Sequence, residues 1–256
     1  MVQRSTVKAV GLGLLAVGVS ILSAQGGYVP ATTARGEPDL QGIWQVLNSA
    51  AWNLEDHAGA TGMPAGKSVV EGGSIPYQPW ALAKRNENFK NRKTADPEHH
   101  CDMPGVPRIS YMPYPFQILQ LGRYVVINYE YLNLTRYIYM DGTSRPGPDV
   151  IDFFMGASDG RWEGNTLVVD TTNNNDRTWF DRAGNFHSDA LHAVERFTRV
   201  DLDHMNYEVT IEDSKVFTRP WKMSMPLYRR VEKDAELLEY ECYAYLEEDG
   251  GLGGTK

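Results

Sequence analysis

The sequence lacks three features: a cluster of basic residues, an apolar run long enough to span a membrane, and more than two cysteines. Its formal net charge is −8. Nucleic acids and anionic membrane surfaces are bound by local groups of Lys and Arg that displace counterions, so neither is predicted as a partner. The longest apolar run, residues 9–22, has about 14 residues, whereas a membrane span needs roughly 20. We therefore predict no membrane insertion once the N-terminal segment is removed.

The N-terminus has the layout of a secretory signal peptide. Arg4 and Lys8 precede the apolar run, and Ser23-Ala24-Gln25 offers cleavage after Ala24, as in exported precursors. An uncleaved membrane anchor is the alternative. The prediction is a periplasmic or secreted protein with a signal peptide over residues 1–24, a flexible lead-in over 25–38 and one β-rich domain over 39–256.

The two cysteines, Cys101 and Cys242, are predicted to form a disulfide. In an oxidising compartment a lone pair of cysteines most simply bonds together. By chain entropy, closing such a long loop contributes about 4 kcal/mol to stability. Two separate reduced thiols remain the alternative, because spacing alone does not bring the two residues together.

Runs rich in β-branched and aromatic residues predict at least seven strands, and most of the connections are short. The clearest hairpin joins residues 161–163 and 166–170 across Gly164-Asn165, a favoured turn composition. Parallel α/β folds need longer crossovers. The prediction is therefore a mainly β fold, an antiparallel up-and-down barrel or sandwich that is lipocalin-like by analogy, with one short N-terminal helix. The other predicted strands are 116–121, 124–132, 136–140, 191–200, 207–212 and 237–246.

The helix is predicted over residues 79–93, with Pro79 in its first turn and Trp80, Ala83 and Phe89 on its buried side. Residues 94–115 contain five prolines and are predicted to form an irregular segment that wraps the sheet.

Four stretches resemble a widespread group of secreted bacterial proteins that share a GRWEGNTLVVDT-type core. The stretches are CDMPGVPR, MGASDGRWEGNTLVVDTT, DRTWFDRAGNFHSDALHAVERFTRV and YEVTIEDSKVFTRPW. The resemblance as a whole covers most of the chain after about residue 38. The resemblance implies an exported protein, and it supplies no catalytic residues.

Two motifs match known functional patterns only in part. Gly156-Ala157-Ser158-Asp159-Gly160 matches the nucleophile elbow of hydrolases, but that motif needs a helix after the serine, and a hairpin is predicted there. The row His99-His100-Cys101-Asp102 offers four ligand types, yet adjacent side chains rarely converge on one tetrahedral ion. Neither a metal nor an organic cofactor is predicted.

Polar residues within strands and one long loop are the candidate site. Glu130, Arg136 and His192 lie in apolar strands, where charges must be paired or exposed. They form either cross-strand pairs on a solvated face or a polar cluster at one end of a cavity. The loop 173–189 is longer than most connections, so it is either functional or an ordered loop held by Asp–Arg pairs.

We predict an exported enzyme that performs cofactor-free acid/base chemistry (elimination, isomerisation or hydrolysis) on a small apolar or aromatic molecule in a β-barrel cavity. A histidine is a suitable acid or base near neutral pH. The alternatives are a non-catalytic binding protein of the same fold and an envelope structural module. The predicted catalytic residues are His187, His192, Glu130 and Asp181, and the predicted substrate-binding residues are Arg136, Arg177, Trp179, Tyr129 and Trp162.

Overall fold

Nine β-strands form a closed barrel in the computed structural model, which describes residues 28–143 and 152–244. The predicted signal peptide lies outside these residues. The strands are β1 (Gly42–Val46), β2 (Phe116–Gln120), β3 (Tyr124–Tyr129), β4 (Thr135–Tyr139), β5 (Ala157–Glu163), β6 (Thr166–Thr172), β7 (His192–Arg199), β8 (His204–Glu212) and β9 (Trp221–Arg229). One α-helix, α1 (Pro79–Ala95), and two short 3₁₀ helices, Pro97–His100 and Arg108–Tyr111, precede β2.

The strands follow one another around the barrel, and β1 pairs with β9 to close it. Eight of the neighbouring pairs are antiparallel, while β4 and β5 run parallel. A parallel pair cannot be joined by a tight hairpin, and the connection between β4 and β5 is accordingly long. The prediction of a mainly β, closed-barrel fold with one helix is confirmed. The hairpin at Gly164-Asn165 is confirmed as well.

Three details of the prediction are wrong. Helix α1 buries Ala81 and Asn88, whereas Trp80 and Ala83 are exposed, because the helix contacts the loop 173–189, where Asn88 donates to the Gly184 carbonyl at 3.2 Å. Residues 237–241 form no strand beyond a single bridge at Tyr240. The last strand is instead β9, whose apolar residues alternate with polar ones in a period of two.

Alternation along β7, β8 and β9 sends every second side chain into the barrel. Phe197, Tyr207 and Met225 are among the inward residues, and all are 3% exposed or less. Because successive side chains of a strand point to opposite faces, the intervening residues lie on the outside. The barrel is therefore filled by a packed core, which stabilises it by burying apolar area.

A buried ion pair crosses this core. The guanidinium of Arg136 on β4 binds the carboxylate of Glu195 on β7, with Nη1 donating to Oε1 at 3.2 Å and Nη2 in closer contact with Oε2. Arg136 Nη2 also donates to Thr171 Oγ1 at 2.8 Å and Nε donates to Ser158 Oγ at 3.1 Å. The Tyr207 hydroxyl donates to Glu195 at 2.7 Å. Each charge thus has several partners, as a buried charge requires.

The predicted disulfide is confirmed. Cys101 and Cys242 are bonded, with their Cα atoms 5.7 Å apart. The bond fastens the segment after β9 to the segment after α1. Glu130 supports the same attachment, because its Oε2 accepts a hydrogen bond from the Leu238 N–H at 2.9 Å. Within the described residues, no helix has both the length and the apolar character that a membrane crossing requires.

Replacing Arg136 by Met should lower the free energy of unfolding by about 3–5 kcal/mol, because Glu195 would remain buried and unpaired. Adding Glu195→Met should recover part of that loss by removing the orphaned charge. Urea unfolding of both variants measures this. An exposed control, Arg161→Met beside Glu163, should change stability by less than about 1 kcal/mol. A double variant that unfolds with a still lower free energy than Arg136→Met alone would contradict the account.

Candidate functional site

A cleft of about 440 Å³ opens beside the disulfide. We call it the tyrosine cleft. Its walls come from six separate parts of the chain, which the barrel and the Cys101–Cys242 bond bring together. The principal lining residues are Trp52, Met63, Arg92, Lys93, Glu98, His99, Tyr114, Tyr131, Arg182 and Tyr240.

Three tyrosine rings form one wall of the cleft. The ring centroids of Tyr114 and Tyr240 are 4.7 Å apart, those of Tyr114 and Tyr131 are 5.2 Å apart, and those of Tyr131 and Tyr240 are 5.5 Å apart. Tyr131 and Tyr240 are also joined by a parallel backbone bridge. Rings at these spacings stabilise one another. The wall is therefore a preformed aromatic surface.

The hydroxyl of Tyr131 is buried and has no hydrogen-bond partner among the described residues. The side chain is 1% exposed. Burial raises the pKa of Tyr131 above its ordinary value, and burial does the same to the pKa of Tyr114. Both are therefore neutral phenols at physiological pH. Because an unsatisfied buried polar group costs about 1–3 kcal/mol, the Tyr131 hydroxyl is suited to bind a polar atom in the cleft.

Cations outnumber anions on the opposite side of the cleft. Arg92, Lys93 and Arg182 line it together with a single carboxylate, that of Glu98. Glu98 is neutralised locally, because Arg182 Nε donates to it at 2.7 Å and Arg108 Nη2 donates to it at 2.6 Å. Burial alone would raise the pKa of Glu98, but these two guanidinium groups lower it overall.

The Arg182 guanidinium also lies 4.9 Å from the centre of the Trp52 ring. This cation–π contact, together with the bond to Glu98, fixes Arg182 at the mouth of the cleft. The cleft thus carries a net positive charge in a chain whose formal net charge is −8.

Two of the predicted catalytic residues hold the loop 173–189 in place. His187 is 2% exposed, its Nδ1 donates to the Ser188 carbonyl at 2.9 Å, and its Nε2 pairs with the Thr178 hydroxyl at 2.7 Å. Burial lowers the pKa of His187. Asp181 accepts hydrogen bonds from the backbone N–H groups of Leu54 and Ala183, both at 2.9 Å. Burial raises its pKa to about 6, although hydrogen bonds from Asn185 and from the Leu54 N–H oppose the rise.

His192 lies on the outer face of β7, between two carboxylates. Its Nε2 is 2.8 Å from Asp170 Oδ1 and its Nδ1 is 3.2 Å from Glu212 Oε2. The residue lines a separate cleft of about 370 Å³. Arg136 points to the inside of the barrel and Glu130 binds the C-terminal segment. The structure therefore does not bring Glu130, Arg136 and His192 together.

The predicted substrate-binding residues are also dispersed. Tyr129 is buried in the core, where its hydroxyl is 3.3 Å from Ser110 Oγ. The guanidinium of Arg177 lies 4.2 Å from the centre of the Phe154 ring, and Trp179 forms a bridge with Phe186. The half-buried Trp162 packs against the core, and its buried Nε1 has no partner among the described residues.

Sequence reasoning missed the tyrosine cleft and the partner of Arg136. Glu195 shares a face with Ala193 and Phe197, and this apolar face indicates that Glu195 is buried. The sequence also contains an indication of the cleft. A bond between Cys101 and Cys242 places Tyr240, two residues away, near the segment that follows α1. Among the described residues, no group of three or more potential ligands is positioned to hold a metal ion.

No family model matches the sequence, and no curated protein matches it. Among solved structures, a mutant of the fluorescent protein UnaG matches over 75% of this chain and 97% of its own. The TM-score is 0.32 and the sequence identity is 10%. A match at this level supports no statement about a ligand or an activity.

The His192→Gln variant should lose stability mainly at acidic pH. Partial burial lowers the pKa of His192, but the hydrogen bonds to Asp170 and Glu212 outweigh burial and raise it overall. A raised folded-state pKa stabilises the fold fully below the unfolded-state value, about 6.5. The stabilisation then disappears as the pH rises through the folded-state pKa.

Melting temperatures of wild type and His192→Gln at pH 5.5, 7 and 9 test this. The difference should be largest at pH 5.5 and should shrink towards pH 9. His100→Gln is the control, because it also removes a histidine, but one whose ring contacts the backbone carbonyl of Thr94. A difference that grows with pH would contradict the assignment.

Proposed function

We propose that this protein is an exported binding protein for a small aromatic anion, which it holds in the tyrosine cleft. The observation that carries the proposal is the buried Tyr131 hydroxyl, which has no partner among the described residues although the cleft lies beside it. Buried polar groups in folded proteins nearly always have partners. A ligand atom that accepts a hydrogen bond would supply the missing one.

The aromatic part of the ligand follows from the walls. Trp52 lines the cleft together with the rings of Tyr114, Tyr131 and Tyr240. Flat aromatic faces favour a planar ligand that can stack or pack edge to face. The cleft volume of about 440 Å³ accommodates a molecule of one or two rings.

The anionic part follows from the charges. Arg92, Lys93 and Arg182 line the cleft with one carboxylate, Glu98, which already has two guanidinium partners. An added negative charge would therefore meet a positive potential, which also steers anions towards the cleft. The neutral phenol of Tyr131 donates to such an anion, and charge-assisted hydrogen bonds are stronger than neutral ones.

Binding is favoured over the acid/base reaction predicted from the sequence. Both ring nitrogens of His187 contact protein groups in the loop, and both ring nitrogens of His192 contact carboxylates. A general base needs a nitrogen that reaches the substrate. Glu98, the carboxylate in the cleft, is a poor base because two arginines bind it and lower its pKa.

Export and the family resemblance belong to this proposal. The signal-like N-terminus, the four shared stretches and the disulfide all support a periplasmic or secreted protein, because structural disulfides persist in oxidising compartments. A binding protein in that compartment meets small aromatic acids from outside the cell.

Calorimetric titration with 2-naphthoate tests the proposal. The Tyr131→Phe variant should bind about 10-fold more weakly, which corresponds to one lost hydrogen bond of about 1.4 kcal/mol. The neutral analogue 2-naphthamide should bind wild type at least about 10-fold more weakly than 2-naphthoate, because it gains nothing from the cations. Tyr124→Phe is the matched control, since Tyr124 packs against Tyr137 and Tyr139 away from the cleft. Equal affinity for the acid and the amide, or an unchanged affinity in Tyr131→Phe, would reject the proposal.

Replacing Cys101 and Cys242 together by Ser should also weaken binding of 2-naphthoate. The disulfide holds Tyr240 against Tyr131, and without it the aromatic wall would have to be ordered when the ligand binds. The loss should be at least about 5-fold at equal folded fraction, with circular dichroism used to confirm that the barrel remains folded. An unchanged affinity in the folded double variant would show that the bond does not shape the cleft.

A further inference from the structure

A serine and a histidine meet over one glycine on the far side of Trp52 from the tyrosine cleft. Ser49 follows β1, and His57 and Gly66 pair through two backbone hydrogen bonds, each of 3.0 Å. The Ser49 Oγ lies 1.7 Å, and the His57 Nε2 2.9 Å, from the position that a Cβ on Gly66 would occupy. Any other residue at position 66 would collide with both, so glycine allows the two side chains to approach.

The proton on His57 is fixed by its neighbour. Its Nδ1 is 2.8 Å from the Glu55 carbonyl, and a carbonyl only accepts, so Nδ1 carries the proton. In the neutral ring, Nε2 is then the acceptor. This nitrogen is buried and bonds to no described residue. Such an orphaned acceptor in a native structure calls for a functional reason.

We propose that Ser49 and His57 form a nucleophile–base pair that hydrolyses small apolar carboxylic esters. A serine becomes nucleophilic when a base beside it takes its proton, and the base must be oriented by a third group. The Glu55 carbonyl supplies that orientation here. No hydrogen bond joins Ser49 to His57 in this structure, and such bonds commonly tighten only when a substrate is present.

The substrate class follows from the groove in which Ser49 lies. The groove has a volume of about 570 Å³, and its apolar lining includes Leu47, Trp52, Val69 and Met225. These side chains suit a short acyl chain. Lys67 also lines the groove, and its exposed ammonium pairs with Asp56 at 3.6 Å.

The reaction is an acyl transfer in two steps. The Ser49 Oγ attacks the ester carbonyl carbon and its proton passes to His57 Nε2. The carbon–oxygen bond to the alcohol then breaks, and the departing alkoxide takes that proton. Water next attacks the acyl-serine with His57 as base, which releases the carboxylic acid and restores both residues.

A biotinylated fluorophosphonate, which phosphonylates activated serines, tests the pair on the full-length exported protein. Peptide mass spectrometry of the labelled wild type should place the label on Ser49, a result that depends on no variant. Hydrolysis of p-nitrophenyl butyrate should fall at least 100-fold in Ser49→Ala and at least 10-fold in His57→Gln. Ser74→Ala and His204→Gln are controls, because both residues lie away from the groove.

Label on another serine, no label at all, or full hydrolysis by folded Ser49→Ala would each overturn the proposal. The result is independent of the tyrosine cleft. A failure of naphthoate binding and a failure of ester hydrolysis are separate outcomes, because the tyrosine wall of the cleft does not line the groove of Ser49. Gly66→Ala adds a geometric test, since its Cβ would displace the Ser49 hydroxyl and should lower the labelling rate if that variant keeps the wild-type circular dichroism spectrum.

Discussion

The buried pair of Arg136 and Glu195 is the interaction on which the barrel depends. It joins β4 to β7, which are not neighbours in the sheet, and it draws in hydroxyl groups from Ser158, Thr171 and Tyr207. Charges buried this deeply tolerate few other arrangements, because every unsatisfied alternative leaves a desolvated ion. The pair therefore favours the arrangement in which the faces of β4 and β7 that carry Arg136 and Glu195 point inward.

A filled core explains why the candidate sites lie outside the barrel. The interior holds the ion pair and large apolar side chains, whereas the two clefts described for the tyrosine wall and for Ser49 are lined largely by residues outside the strands. Asp181 anchors the loop 173–189 to the segment after β1 through the Leu54 N–H, and Arg182 next to it reaches Glu98 in the tyrosine cleft. The disulfide completes the arrangement by fixing Tyr240. Asp181 and the disulfide thus position Arg182 and Tyr240, two of the residues that line the tyrosine cleft.

Local patterns predicted most of the strands, the turn at Gly164-Asn165 and the helix, and the presence of only two cysteines predicted the disulfide. Local patterns failed for other partners that are distant in sequence. Glu195 is separated from Arg136 by 59 positions, so no local rule pairs them, and His192 was preferred although its alternation places it outside. Strand β9 was not predicted. It contains Pro226, and proline is disfavoured within strands. Its Trp221–Met223–Met225 alternation was a sufficient signal.

The central claim, that the tyrosine cleft holds an aromatic anion, is tested most directly by a crystal structure of the protein grown with 2-naphthoate. The account predicts the naphthalene ring between Trp52 and the tyrosine wall, with a carboxylate oxygen within hydrogen-bond distance of the Tyr131 hydroxyl. Naphthoate bound at another surface, or a cleft that contains only solvent at saturating ligand, would contradict it.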